Sequence, residues 1–187
     1  MLNANLEFDQ IPLSHRRSFN GLHAQKQKIA IGTLLYKFTD WEVFNSYTDT
    51  ANQLKESVSA FWGTLGDLHD VLAYATQSNK SLLDCIRRRN AVLHNWNGLN
   101  SLVIIRLRQD VVGFVGNIGP QTEKGYAEQY MKRRGYTPAI QLWGGASQVY
   151  LPGLTRLHVE EIVPSATVLV RDPVPDIVAF LEEYNLV

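Results

Sequence analysis

Two adjoining apolar runs, SLVIIRL and VVGFVG, occupy residues 101–116 and constrain the fold more than any other stretch. Both are rich in β-branched residues, and Gln109-Asp110 separates them; the pattern predicts two strands joined as a hairpin. Three more strand-like segments follow: PAIQLWG, SQVYLP and LHVEEIVP, with ATVLVRD as a possible fourth. Strands therefore dominate the second half of the chain. Helical spacing dominates the middle, so the order is α+β and not a repeating strand–helix alternation.

The helical segments carry their own punctuation. SLLDCIRRRNAVLHNW (81–96) opens on Ser81 as a cap with Asp84 three residues on, and its apolar residues fall at 82, 83, 86, 92, 93 and 96. EKGYAEQYMKRRG (123–135) reads as a short helix stopped by Gly135, and PDIVAFLEEYNLV as a last one with Pro175 at its start. Residues 49–72 are mixed: helical spacings at Val71, Tyr74 and Ala75 follow an SAFWG segment that suits a loop. Residues 1–28 read as an irregular lead-in, and KIAIGTLLYKFTD (28–40) as two strand pieces broken at Gly32. The expected organisation is one domain over 29–187 behind that lead-in.

Composition excludes several classes. The 187 residues are 45% hydrophobic and 19% charged, a globular balance. Lys+Arg and Asp+Glu are 18 each, so net charge gives no argument for nucleic acid or membrane. The lone Cys85 permits no internal disulfide or cysteine zinc cage, and its apolar surroundings mark it as a packed thiol. Five histidines are scattered without ligand spacing, and neither phosphate loop nor nucleophile elbow occurs. No run reaches the roughly 20 apolar residues of a membrane span, and the N-terminal stretch lacks the apolar core of a signal peptide. A cytoplasmic location where the protein is made is the expectation, with export into a target cell by a signal-independent machine left open.

Three segments in fixed order carry a resemblance: GTLLYKFTDW (32–41), SAFWGTL (59–65) and SQVYLPGLTRLHV (147–159). Their layout resembles that of the ADP-ribosyltransferase superfamily, in which a first strand grips NAD, a second shapes the nicotinamide pocket and a late strand bears a glutamate. The chain also looks like toxin-type domains at the ends of bacterial secreted effectors, through Leu35-Tyr36-Lys37, Ser59-Ala60-Phe61-Trp62, Ala91-Val92 with Asn95-Trp96-Asn97, and QVYLPGLT at 148–155.

The resemblance implies split antiparallel sheets with flanking helices, NAD as substrate, a macromolecular target (protein or nucleic acid), and an immunity protein as partner. It implies that Lys37 holds the pyrophosphate while Tyr36, Ser59, Phe61 and Trp62 shape the nicotinamide pocket. Gln148 stands where the family's glutamate would be. Lys37 departs from the usual arginine, whose planar fork grips phosphate in two places where an ammonium is a point charge. Gln148 departs further, because an amide offers no negative charge to an oxocarbenium-like transition state. A carboxylate must then come from Glu160 or Glu161 on the next strand, or the site binds without turnover. The structural alternatives stand beside these roles: Lys37 on an exposed strand face, Phe61 and Trp62 in the core, Gln148 as a plain strand residue. Arg87, Arg88 and Arg89 point three ways around a helix, so at least one faces inward or toward a cleft; they read either as a solvated basic face or, at Arg89, as a group that binds phosphate or a target. The rival of another class is a non-enzymatic immunity or adaptor module that docks a partner through its aromatic surface.

Overall fold

The computed structural model describes residues 1–39, 60–93, 96, 98–99, 101–122, 141–162, 174–183 and 185–186. The elements in chain order are α1 (Leu13–Arg16), β1 (Gln25–Ile29), β2 (Leu34–Thr39), β3 (Phe61–Thr64), α2 (Leu65–Ser78), α3 (Leu82–Arg89), β4 (Ser101–Leu107), β5 (Val111–Asn117), β6 (Gln121–Thr122), β7 (Gln141–Leu142), β8 (Ser147–Tyr150), β9 (Val159–Glu161) and α4 (Val174–Glu183). Seven strands form one antiparallel sheet in the order β1-β5-β8-β3-β2-β4-β9, and β6 pairs with β7 separately. This is a single α+β domain built on a large antiparallel sheet.

Strand alternation sorts the sheet into two faces. One carries Tyr36, Phe38, Leu102 and Ile104, which pack on α2, α3 and α4. Farther along the same face, Phe114 and Tyr150 pack with Ile11 and Phe19 of the lead-in, and Phe61 joins them from β3. The other face is a continuous apolar layer to which Ile29, Leu35, Trp62, Val103, Val111, Val149 and Val159 contribute, one from each of the seven strands. Leu151 and Leu154 of the following turn pack into that layer.

Local chemistry explains the helix starts. Thr64 caps α2: its hydroxyl oxygen accepts from the Asp67 amide at 3.3 Å, while its hydroxyl donates to the Asp67 carboxylate at 2.7 Å. Ser81 caps α3 by accepting from the Asp84 amide at 3.4 Å, as expected from its sequence. The Asp84 carboxylate turns away from the cap and pairs with Arg88 at 2.7 Å.

Several expectations are revised. β4 and β5 are strands but not a hairpin: β4 pairs with β2 and β9, whereas β5 pairs with β1 and β8. The SAFWG segment is no loop, since Phe61–Thr64 forms β3 and runs straight into α2. Helix α3 ends at Arg89, well before Trp96, as Ala91 takes a positive φ of 48° that no helix continues. β1 begins at Gln25, inside the expected lead-in. The predicted helix at 123–135 and the fourth late strand, ATVLVRD, lie outside the described residues.

Candidate functional site

The strands carrying the three motif segments are next-door neighbours, β8-β3-β2, at the middle of the sheet. Tyr36 pairs with Gly63, and Phe61 and Trp62 pair with Tyr150 and Val149. Continuing that register by one residue sets Gly63 beside Gln148, so Tyr36, Gly63 and Gln148 form one row across three strands. Gly63 is required there. A Cβ on it would meet the Tyr36 ring at 2.3 Å, so the phenol lies over the glycine toward Gln148.

The same pairing divides the expected site residues. Tyr36, Phe61 and Gln148 lie on the helix-covered face, whereas Lys37 and Trp62 lie on the other. The expectation that Lys37 and Trp62 share a pocket with Gln148 is therefore not met by the geometry. Lys37 packs its ammonium 4.1 Å from the centre of the Trp62 ring. Burial lowers the Lys37 amine to about 7, and the ring face works against that shift by favouring the cation. Phe61 lies within an aromatic group with His15, Phe19 and Tyr150.

Gln148 is 5% exposed and its amide nitrogen donates to the Ser18 carbonyl at 3.1 Å and to the Ser18 hydroxyl at 3.3 Å. It thus ties the lead-in to the sheet. A second tie lies two residues on, where the Tyr150 hydroxyl meets His15 Nδ1 at 2.8 Å.

Glu160 and Glu161 sit on β9, four strand spacings from β8, or roughly 19 Å along the sheet. Glu160 faces Arg106 at 3.7 Å. Neither strand position borders Gln148. Ser59 lies outside the described residues, as do Asn95 and Asn97.

A carboxylate does stand near the Tyr36–Gly63–Gln148 row, and it comes from α2. Asp67 is 8% exposed; its Oδ1 accepts from the Ser147 amide at 3.1 Å, fastening the helix start to β8 beside Gln148. Arg89 reaches toward it at 4.0 Å and pairs with Asp70 at 3.3 Å. The same groups surround the Tyr36 hydroxyl. Burial pushes that phenol up to about 12, Asn90 hydrogen-bonds to it and pulls the other way, Asp67 and Asp70 add to the rise, and Arg89 opposes it. Arg89 Nε and Asn90 Oδ1 are buried without a hydrogen-bond partner, two unmet polar positions in one cluster. Nothing in the sequence pattern pointed to Asp67 or Asn90. The signal was local: Asp67 is the third residue of a helix that follows a motif strand directly.

The three arginines divide as their spacing requires. Arg87 is buried and donates to the Val92 carbonyl at 3.2 Å, Arg88 pairs with Asp84, and Arg89 joins the Asp67 cluster. Cys85 is buried, and burial raises its thiol above the ordinary value. Among the described residues no group of three or more acidic, histidine or cysteine side chains could hold a metal ion, and no helix is long and apolar enough to cross a membrane. An open groove of about 290 Å³ lies elsewhere, against α2 and α4, lined by His69, Leu72, Ala73, Thr76, Gln77 and Val178.

No protein-family model matches this chain, and no curated protein matches it. Among solved structures, one described as "Rhs1-CT in complex with cognate immunity protein RhsI1" is similar over 79% of this chain and 83% of its own, at 10% identity and a TM-score of 0.45. A likeness that distant assigns no activity.

Proposed function

We propose that this chain is a toxin-type domain that uses NAD as substrate, transferring ADP-ribose to a macromolecular target or hydrolysing NAD, with an immunity protein as its partner. The observation that carries the reading is the strand order β8-β3-β2, which puts segments more than eighty residues apart in the chain side by side. On their common face, Tyr36, Asp67, Arg89 and Asn90 supply an aromatic ring, a carboxylate, a cation and an amide within one cluster.

In this proposal the buried Tyr36 backs the site from the core beneath Asn90, and Arg89 takes the phosphate role first expected of Lys37. As the bond between the ribose C1′ and the nicotinamide nitrogen breaks, its electron pair leaves with neutral nicotinamide. Positive charge grows on the ribose, and Asp67, held by the Ser147 amide next to Gln148, is the carboxylate that opposes it. Water or a target nucleophile then bonds to C1′ and gives up a proton.

Nicotinamide release from NAD by the purified chain, with and without a cell lysate, tests the reading. Asp67→Asn should lower the rate about 100–1000-fold, the cost of removing one electrostatic contact to the transition state, with its fold checked by circular dichroism. Absence of nicotinamide release, together with no NAD-dependent labelling of any lysate component, would sink it. The adaptor reading has two observations of its own: Gln148 is already bound to Ser18, and Trp62 is already capped by Lys37. Expression without a protective partner separates the two, since a toxin arrests growth and an adaptor does not.

A further inference from the structure

Trp143 is one of the large apolar side chains exposed among the described residues, 47% exposed, and its surroundings are not apolar. Lys80 Nζ lies 5.6 Å from the centre of its ring and 5.5 Å from that of Tyr74, and the Arg88 guanidinium lies 5.7 Å from the Trp143 ring. Tyr74 meets Trp143 edge to face at 6.4 Å. These distances contrast with a cation–aromatic pair elsewhere among the described residues, where Lys37 sits at 4.1 Å on a buried ring and caps it. Around Trp143 the cations lie over the ring but about 1.5 Å farther off, and nearly half of the indole is still exposed to solvent.

The platform is held rigidly. The Gly144 amide donates to the Arg88 carbonyl at 3.0 Å, pinning the Trp143 segment to the end of α3. Gly144 takes a φ of +68°, and a Cβ on it would lie 2.5 Å from the Ile118 carbonyl, so only glycine turns the chain there. On the other side, Tyr74 belongs to α2 and Lys80 to the α2–α3 turn, where its ammonium donates to the Tyr74 hydroxyl at 3.2 Å. Arg88 is oriented by Asp84. Counting Lys80, Arg88 and Asp84, the patch carries one net positive charge.

We infer that this surface binds a nucleotide, with its base stacked on Trp143 and its phosphates between Lys80 and Arg88. An exposed indole gives every base a face to stack on, and two separated cations suit one or two phosphates. A nucleic-acid strand fits less well. Proteins that track a strand neutralise about 6–10 phosphates, whereas this patch has two cations and the whole chain is formally uncharged. The site lies outside the Tyr36–Asp67 cluster, so the inference holds whether or not the chain turns NAD over.

Calorimetric titration of the full chain with ADP is the test, alongside ribose 5-phosphate and single-stranded oligonucleotides of five and fifteen bases (about those lengths). ADP should bind at a site that Trp143→Ala removes and Asp67→Asn leaves, and ribose 5-phosphate should bind there at least about 10-fold more weakly because it lacks the base. Trp143→Ala should weaken ADP about 10–100-fold, the usual effect of losing one stacking partner. Lys80→Ala should weaken ADP, but not adenosine, because adenosine has no phosphate for the ammonium to hold. Both changed residues are on the surface, so unaltered melting temperatures should accompany these losses. ADP binding that Trp143→Ala leaves unchanged would overturn the inference. So would the absence of ADP binding, or affinity that appears only with the longer oligonucleotide.

Discussion

Gln148 draws its part in the fold from the group it faces. Its amide donates to the backbone carbonyl of Ser18, an acceptor that a carboxylate cannot satisfy. Gln148→Glu therefore places a buried acid against a carbonyl oxygen, beside a Ser18 hydroxyl whose proton already goes to the His15 carbonyl at 2.6 Å. The acid's pKa should rise, and the variant should lose stability as pH climbs from about 4, since the unfolded acid ionises first. Thermal melts at about pH 4 and pH 7 would check this; equal melting-temperature losses at both would refute it. Lys37 gives the opposite pH slope. Its folded amine titrates near 7 against an ordinary 10.5, so between those values the unfolded chain holds a proton that the folded one lacks. Stability should rise with pH across that window, and the penalty should be full and constant below it. Lys37→Met should flatten the profile and gain most at about pH 6, as urea titrations at several pH values would show.

At the scale of elements, the strand-to-helix junction at Thr64 carries the most. One side chain ends β3, caps α2 and holds Asp67, whose other oxygen fastens β8. Thr64→Ala should cost about 1–2 kcal/mol, the upper range for a lost cap, because it also leaves one Asp67 oxygen without its donor. Ser81→Ala, which caps α3 and nothing else, should cost about 1 kcal/mol or less. A pair of urea midpoints decides it; a smaller loss at Thr64 than at Ser81 would show that the junction adds nothing to the cap. The sequence marked both caps differently. Ser81 stands before a clear apolar period, whereas Thr64 is hidden behind Phe61 and Trp62, two adjacent aromatics that look like a loop until their alternation sends one to each face.

At the scale of the molecule, the lead-in is part of the core. Ile11 and Phe19 are 3% and 2% exposed, and they cover Phe114 and Tyr150, which are themselves nearly inaccessible. Leu2 bridges Val111, and Asn3 donates to the Pro152 carbonyl at 2.9 Å. Removing residues 1–20 should uncover the aromatic face of β3, β5 and β8 and strip Gln148 and Tyr150 of their partners. The shortened chain should bind a hydrophobic dye and lose its cooperative thermal transition; a sharp transition at an unchanged temperature would contradict this.

What the sequence determined by itself was whatever depends on neighbours in the chain. β-branched runs made strands at 101–116, the Ser81 cap started a helix, Pro175 fell in the first turn of the last one, and consecutive arginines had to diverge. Those outcomes follow from local sterics and hydrogen bonding, which act over a few residues. Pairing partners and faces were decided only by tertiary structure. A tight Gln109-Asp110 turn looks the same whether its strands pair or part, and β4 parts from β5 because each is captured by other strands. Likewise, adjacency of Tyr36 and Lys37 in the chain puts them on opposite faces of a strand, while Asp67 and Ser147, eighty residues apart, share a hydrogen bond. The period of two along a strand separates neighbours, and the sheet joins strangers, so a site read from motifs alone keeps its strands but not its side chains.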